Sequence, residues 1–385
     1  MVKSFVCLSF AASFSLVGLG PAAASQSNSA PPQTNEILIG ELGSFTGPTG
    51  NFGVSTANGI DLAVEAVNQS GGLLGRRVRI VREDDHGSPA DAQSAVEKLI
   101  TTDKVVAVLG EVASSRTLAA AIIAQSHKTP LLTPSSTNPR VTQSGDYIFR
   151  SCFIDPYQGS VMAKFAMNSL KLKNLAVLRD AKSDYSTSIA DSFVESIRKM
   201  GGTIVDDISY DAGKTDFMSQ VTRLKSKSPQ AIFIPGYYAE VGLIAKQARE
   251  QGLTVPLLGV DGWDSPKLIE IGGPGLEGSY FSNHYSSDDP NSANQKFQAA
   301  YREKFHDAAD SLAALGYDAA NMLFDAIRRA NSTNGSGIRD SLAQTRNYGG
   351  ATGTITLDPQ RNAIKPAVIL QFERGKYTYS ETVQP

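Results

Sequence analysis

From Glu36 onward the chain alternates short aliphatic or β-branched runs with segments of helical period, and this alternation constrains the fold most. Ile37–Leu42 is an apolar run of strand length. Ile60, Ala63, Val64 and Val67 then share one helical face, and Gly71-Gly72 ends that helix. Val78–Val81 follows as a strand. Ser88-Pro89-Ala90-Asp91 opens a helix with a capping residue, a proline at its first position and a carboxylate at its third. Strands Val105–Leu109 and Pro130–Thr133 enclose a helix over Leu118–Ala124. After Tyr147–Arg150 the pattern resumes, with a helix from Pro156 and strand Leu175–Leu178, then a helix from Ile189 and strand Thr203–Ile208. Helix Phe217–Leu224, strand Ala231–Ile234, helix Val241–Arg249 and strand Val255–Leu258 continue it. Strands separated by helices build parallel sheets with helices on both faces. The strands, more than about ten in number, exceed one compact open sheet. The expected fold is therefore α/β, with two doubly wound parallel-sheet lobes. A TIM barrel, with its ~250 residues, leaves too much of a 385-residue chain unexplained.

The front end stands apart from that pattern. Met1–Ala24 carries Lys3 as its only charge, an apolar stretch over Phe5–Leu19, and Ala22-Ala23-Ala24 before Ser25. These are the parts of a cleaved secretory signal peptide, expected over residues 1–24. The apolar stretch is shorter than the ~20 residues of a membrane span and is interrupted by serine and glycine. Ser25–Asn35 (SQSNSAPPQTN) is uncharged and rich in Pro, Ser and Asn, which predicts a disordered tether over 25–35. The mature protein is expected to be exported, periplasmic and soluble. A net charge of −2 without long basic runs argues against nucleic acid as a partner. Two cysteines, Cys7 and Cys152, exclude a disulfide scaffold and a Cys₄ zinc site. Cys152 reads as a small buried hydrophobe.

In open parallel sheets, ligands sit beyond the carboxyl ends of the strands, so the strand-to-helix loops carry the functional signal. Val105–Leu109 is followed by Gly110-Glu111-Val112-Ala113-Ser114-Ser115 and a helix. Hydroxyls at a helix start, beside free N–H groups and the positive end of the dipole, suit a carboxylate. The plain alternative for Ser114 is a helix cap. The next strand ends in Thr133-Pro134-Ser135-Ser136-Thr137-Asn138, which has more donors than a turn needs. In the second half, strand ends lead into Pro235-Gly236-Tyr237-Tyr238 and Gly259-Val260-Asp261-Gly262-Trp263. Hydroxyls on one side and a phenol with a carboxylate on the other fit a ligand with one anionic and one cationic end. A zwitterionic amino acid is the simplest such ligand.

The blocks ILIGELGSFTGPTGNFG, NGIDLAVEAVNQSGGLLGRRVRIVREDD, VLGEVASSRT, TPLLTPSSTNPRVT, FRSCFIDPYQG, PGYYAEVG and LLGVDGWDSP, in this order and spacing, carry a resemblance. They resemble the periplasmic substrate-binding proteins of branched-chain amino-acid ABC transporters (the leucine/isoleucine/valine-binding type). The resemblance implies a type I periplasmic-binding-protein fold, two lobes joined by a three-strand hinge and closing on ligand. Lobe 1 is expected over 36–155 and 286–360, and lobe 2 over 156–285 and 361–385. The crossings would lie near Asp155, near Tyr285 and around Leu357–Arg361. By matching positions, the ligand carboxylate would meet Ser114, Ser135 and Thr137, with Ser115 beside them. The ammonium would meet Tyr237 and Asp261, an aspartate where relatives often carry glutamate. Phe52 and Tyr185 match pocket-wall positions, and Trp263 reads equally as a third wall or as packing within a lobe. The implied partners are an amino acid and a membrane permease, with no cofactor, no metal and a monomeric receptor. A sensing module of the same fold for an amide, urea, peptide or aromatic acid is the alternative.

Enzyme motifs fail on context. Gly273-Pro274-Gly275-Leu276-Glu277-Gly278 spells a dinucleotide fingerprint but follows a helix and precedes a strand, the reverse of what phosphate binding requires. Gly213-Lys214-Thr215 lacks the first P-loop glycine, where Ile208 stands. Gly53-Val54-Ser55-Thr56-Ala57 misses the last glycine of a nucleophile elbow. The histidines His86, His127, His284 and His306 are far apart in sequence, and no His-Glu-x-x-His occurs. No enzymatic activity is expected.

Overall fold

The first five strands form one parallel sheet in the order β2-β1-β3-β4-β5. They are β1 (Glu36–Gly43), β2 (Arg77–Asp84), β3 (Val108–Gly110), β4 (Leu131–Thr133) and β5 (Ile148–Arg150). The structure is a computed structural model that describes residues 1–9, 11 and 35–384. Residues 1–9 and 11 contain no helix or strand, and the rest of the expected leader and tether, up to residue 34, lies outside the described residues. Helices α1 (Gly50–Gln69), α2 (Pro89–Thr101), α3 (Ser114–Ser126) and the short α4 (Arg140–Gln143) connect the strands.

A second sheet repeats the same winding. Strands β6 (Asn174–Asp180), β7 (Thr203–Tyr210), β8 (Ala231–Phe233), β9 (Leu257–Gly259) and β10 (Tyr280–Asn283) run parallel in the order β7-β6-β8-β9-β10. Helices α5 (Asp155–Lys164), α6 (Asp184–Lys199), α7 (Met218–Ser226), α8 (Tyr238–Glu250) and α9 (Pro266–Gly272) belong to this half. Both sheets thus reverse their strand order next to the first strand, which opens a crevice at the carboxyl ends. Aliphatic clusters cover both faces of each sheet, as an interior parallel sheet requires.

The last part of the chain departs from the parallel pattern. Helices α10 (Ser292–Phe305), α11 (Ser311–Ala330) and α12 (Gly335–Ala343) precede a small antiparallel sheet. That sheet holds β11 (Tyr348–Gly350), β12 (Gly353–Leu357) and β13 (Ala363–Ile364). Strands β14 (Ala367–Glu373) and β15 (Lys376–Val383) then add to the second sheet as an antiparallel hairpin beside β10. The hairpin turns at Arg374-Gly375, whose φ values of 54° and 78° suit a tight turn that follows strand twist.

The chain passes between the sheets after β5, after β10 and between β13 and β14. Between β13 and β14 the chain runs through Lys365-Pro366. Asp358–Asn362 is a tight turn: Asp358 N donates to Asn362 O at 2.8 Å, and β13 returns to pair with β12.

Helix α1 crosses α11 at a glycine pair. A Cβ on Gly59 would lie 1.9 Å from Ala313 O, and one on Gly316 would lie 2.5 Å from Thr56 O. The two backbones meet directly, which sets where Phe52 and Leu312 project. Gly59→Ala is expected to destabilise the fold by about 1–3 kcal/mol through forced backbone shifts. An unchanged thermal midpoint in the variant would contradict this packing.

Among the described residues, no helix is long and apolar enough to cross a membrane.

Candidate functional site

Three loops from the first sheet and three from the second meet at one small cavity. Phe52, Val112, Ser135, Tyr185, Tyr237, Asp261, Gly262 and Leu312 line it. Its free volume is about 10 Å³, roughly the least that holds one water molecule. Phe52 stands near the start of α1, after β1. Val112 and Ser135 follow β3 and β4, while Tyr185, Tyr237 and Asp261 follow β6, β8 and β9. The crevice rule thus holds in both halves.

The loop after β4 separates its hydroxyls into two sets. Thr133 Oγ1 donates to Glu111 O at 2.6 Å, and Ser136 Oγ donates to Glu111 O and Val112 O at 3.0 and 2.9 Å. From behind, the fully buried Arg150 donates to Ser136 O and Asn138 O at 2.5 and 2.6 Å. Ser135 Oγ and Thr137 Oγ1 are left buried without a hydrogen-bond partner. Unsatisfied buried hydroxyls are costly, and two in one loop make it a candidate site. Ser114 is the first residue of α3 rather than its cap, and its Oγ accepts from Asn138 N at 3.2 Å. The cap reading of Ser114 is not met.

The opposite wall is aromatic and acidic. Tyr185 and Tyr237 stack with ring centroids 4.9 Å apart, and Phe52 meets Tyr237 edge-on at 5.6 Å. Burial raises both phenols far above their ordinary range, so they stay protonated donors. Asp261 Oδ1 accepts from Tyr185 OH at 2.6 Å and Gln158 Nε2 at 2.8 Å, and its Oδ2 lies 3.0 Å from His284 Nε2. Asp155 is fully buried at the start of α5. Burial pushes its carboxyl up to about 7.

Four expected site residues are absent from this lining: Ser114, Ser115, Thr137 and Trp263. Ser115 lines a second cavity of about 250 Å³, which shares Tyr185 and Tyr237 with the first and also holds Arg116 and Lys182. Of the two readings of Trp263, pocket wall and lobe packing, the second holds: it packs in the core of the second half. Its ring lies where a Cβ on Gly259 would be, 2.1 Å away, and its indole N–H donates to Ile234 O at 3.0 Å. A side chain at position 259 would displace the ring.

Sequence reasoning missed Val112, Gly262, Leu312, Gln158 and His284. It also missed a buried ionic group around Arg116. Arg116 lies 3.1 Å from Glu111 Oε1 and 3.6 Å from Asp85 Oδ2, and Ser44 Oγ donates to Asp85 Oδ1 at 2.6 Å. Burial pushes the Glu111 carboxyl up to about 7, with Arg116 pulling it down and Asp85 pushing it further up. Asp85 is fully buried, whereas the neighbouring His86 is exposed. Cys152 is buried, and burial pushes its thiol up to about 12, which suits an inert hydrophobe.

The family model for periplasmic binding proteins matches residues 36–376. The chain belongs to the periplasmic binding protein family. As a member, it is similar to a Leu/Ile/Val-binding protein homolog 3 of Brucella melitensis, with 30% identity over 89% of this chain and 92% of the relative. Among solved structures, a leucine-binding protein from Thermotoga maritima superimposes with a TM-score of 0.88 and 38% identity. That match covers 91% of this chain and 99% of the other. A branched-chain amino-acid substrate-binding protein from Streptococcus pneumoniae, in complex with isoleucine, gives a TM-score of 0.87 and 33% identity. It covers 91% of this chain and 100% of the other. Two doubly wound lobes of a type I periplasmic binding protein are therefore the fold of this chain. Members of the family are solute-binding receptors.

Proposed function

We propose that this periplasmic binding protein captures an amino acid with an aliphatic or other apolar side chain and delivers it to the permease of an ABC transporter. The observation that carries the reading is the polarity of the cavity. Ser135 lines one side with an unpartnered buried hydroxyl, and Thr137 carries a second two residues on, while Tyr237 and Asp261 line the other. A zwitterion answers both ends, since a desolvated charge needs donors or an opposite charge. Ser114, Ser135 and Thr137 would hold the carboxylate, with Tyr237 and Asp261 on the ammonium. Phe52, Val112, Tyr185 and Leu312 would enclose the side chain, and their apolar surfaces favour an apolar one. The relatives named for leucine, isoleucine and valine support the same ligand class.

The cavity is far smaller than an amino acid, so binding requires its walls to part. Residues 36–155 with 286–364 would form one lobe, and 156–285 with 365–384 the other. They would hinge at the passages after β5, after β10 and at Lys365-Pro366, with closure reporting occupancy to the permease. The receptor would act as a periplasmic monomer, exported by its cleaved leader, with no reaction at the site and no cofactor or metal.

A thermal-shift screen of the twenty amino acids, with urea and benzoate alongside, tests this reading. At least one amino acid is expected to stabilise the protein by about 2.7 kcal/mol at a hundred times its Kd. Stabilisation by benzoate alone would replace the zwitterion with an aromatic acid.

A further inference from the structure

The carboxylate side chain of Asp261 is held from three directions. Gln158 reaches it from α5, Tyr185 from α6, and His284 from the residue that follows β10. A carboxylate only accepts, so the proton on the 3.0 Å contact to Oδ2 belongs to His284 Nε2. The other ring nitrogen, Nδ1, is buried and has no hydrogen-bond partner. A neutral imidazole leaves a bare acceptor there, whereas an imidazolium would bury an N–H donor with nothing to receive it. The ring is 2% exposed and stacks on Phe153 with centroids 3.7 Å apart. Asp261 and Asp264 face it and favour the charged form, Lys365 opposes it, and burial outweighs them, lowering its pKa below the ordinary histidine value.

We propose that His284, as a neutral Nε2–H imidazole, is the positioning residue that fixes the Asp261 carboxylate for the ligand's ammonium, and that a proton on His284 competes with the ligand. The proposal rests on the amino-acid-receptor reading and adds a residue and a pH response to it. Without the His284 N–H, Oδ2 loses the donor that fixes its direction, and the side chain is left held through Oδ1 alone. With a second proton, His284 places a cation 3.0 Å from Oδ2, where it cancels the charge that attracts an ammonium. His284 also begins the passage of chain that leaves β10 for α10, so the site's acidic group is tied to one of the segments between the sheets.

The test compares His284→Gln, which keeps an N–H donor, with His284→Phe, which keeps the ring that stacks on Phe153. In calorimetric titration with L-leucine at pH 7.5, the Phe variant is expected to lose about tenfold or more in affinity, and the Gln variant less than about threefold. Wild-type affinity is expected to fall as pH is lowered below the ordinary histidine value of about 6.5, and the Gln variant to fall less. Asp155 and Glu111, each held at about 7 by burial, titrate in both proteins and cancel in the comparison. Nitrogen-15 NMR of histidine-labelled wild type supplies a readout that survives misfolding of the Phe variant. The resonance missing from His284→Gln should report the Nε2–H tautomer and a pKa that drops further when leucine is added. An Nδ1–H tautomer, equal losses in both variants, or an unaltered pH response would overturn the proposal. Wild-type protein that binds no amino acid at all would overturn the receptor reading beneath it instead.

Discussion

Asp261→Ala is expected to weaken amino-acid binding by at least about tenfold, and by as much as about 2–5 kcal/mol. The ligand's ammonium would lose its one facing carboxylate in a cavity that excludes water, which is where a charge pair matters most. The same change leaves Gln158, Tyr185 and His284 without their acceptor, so a stability loss of about 1–3 kcal/mol should accompany it. Asp261→Asn separates charge from shape. Its amide nitrogen would have to face either the Gln158 and Tyr185 donors or the His284 N–H, so it too should bind weakly despite its size. Calorimetric titration of folded variants, verified by melting curves, measures both effects. Unchanged affinity in the alanine variant would remove Asp261 from the ammonium site.

Arg116→Met should cost about 3–5 kcal/mol of stability, because it leaves Glu111 and Asp85 buried without their cation. The penalty has a pH signature whose sign follows from Glu111. Its folded carboxyl sits at about 7 even beside Arg116, above the ordinary value of 4.5, and rises further when the guanidinium is gone. A raised carboxyl pKa means that the folded state holds the proton more tightly than the unfolded chain. Stability from this group is therefore greatest in mild acid and is lost as pH rises from 4.5 through about 7. The variant's deficit should accordingly be small near pH 5 and large near pH 8. A second change, Glu111→Gln in the Arg116→Met background, should recover part of the loss, as a double-mutant cycle on a contacting pair requires. Equal melting deficits at both pH values would show that Glu111 is not the group left uncompensated.

Most of the winding is legible in the sequence itself. Ile37–Leu42, Val78–Val81, Leu175–Leu178 and Thr203–Ile208 each fall within a strand, and Ser88 caps α2 by accepting from Asp91 N at 3.3 Å. Phe52, Ser135, Tyr185, Tyr237 and Asp261 are all indicated by the sequence and meet at one cavity. The C-terminal hairpin is not legible there, because β14 and β15 join a sheet whose other strands lie far earlier in the chain. Trp263 is ambiguous there for a similar reason. Its position at a strand end is local, but the glycine that makes room for its ring in the core is a tertiary fact.

The alternation of strand and helix periods is enough to determine two doubly wound lobes, because burial on both faces of a parallel sheet requires that pattern. Residue types at strand ends are enough to suggest an anion-binding side and a cation-binding side. Which hydroxyls are free is decided only in three dimensions, where Thr133 and Ser136 turn back on Glu111 and Ser135 and Thr137 do not. The meeting of His284, Gln158 and Tyr185 on Asp261 is decided there as well. Periodicity reports which face of an element is buried. Hydrogen bonds between side chains far apart in the chain leave no local trace, since either partner alone is an ordinary polar residue in a loop or helix.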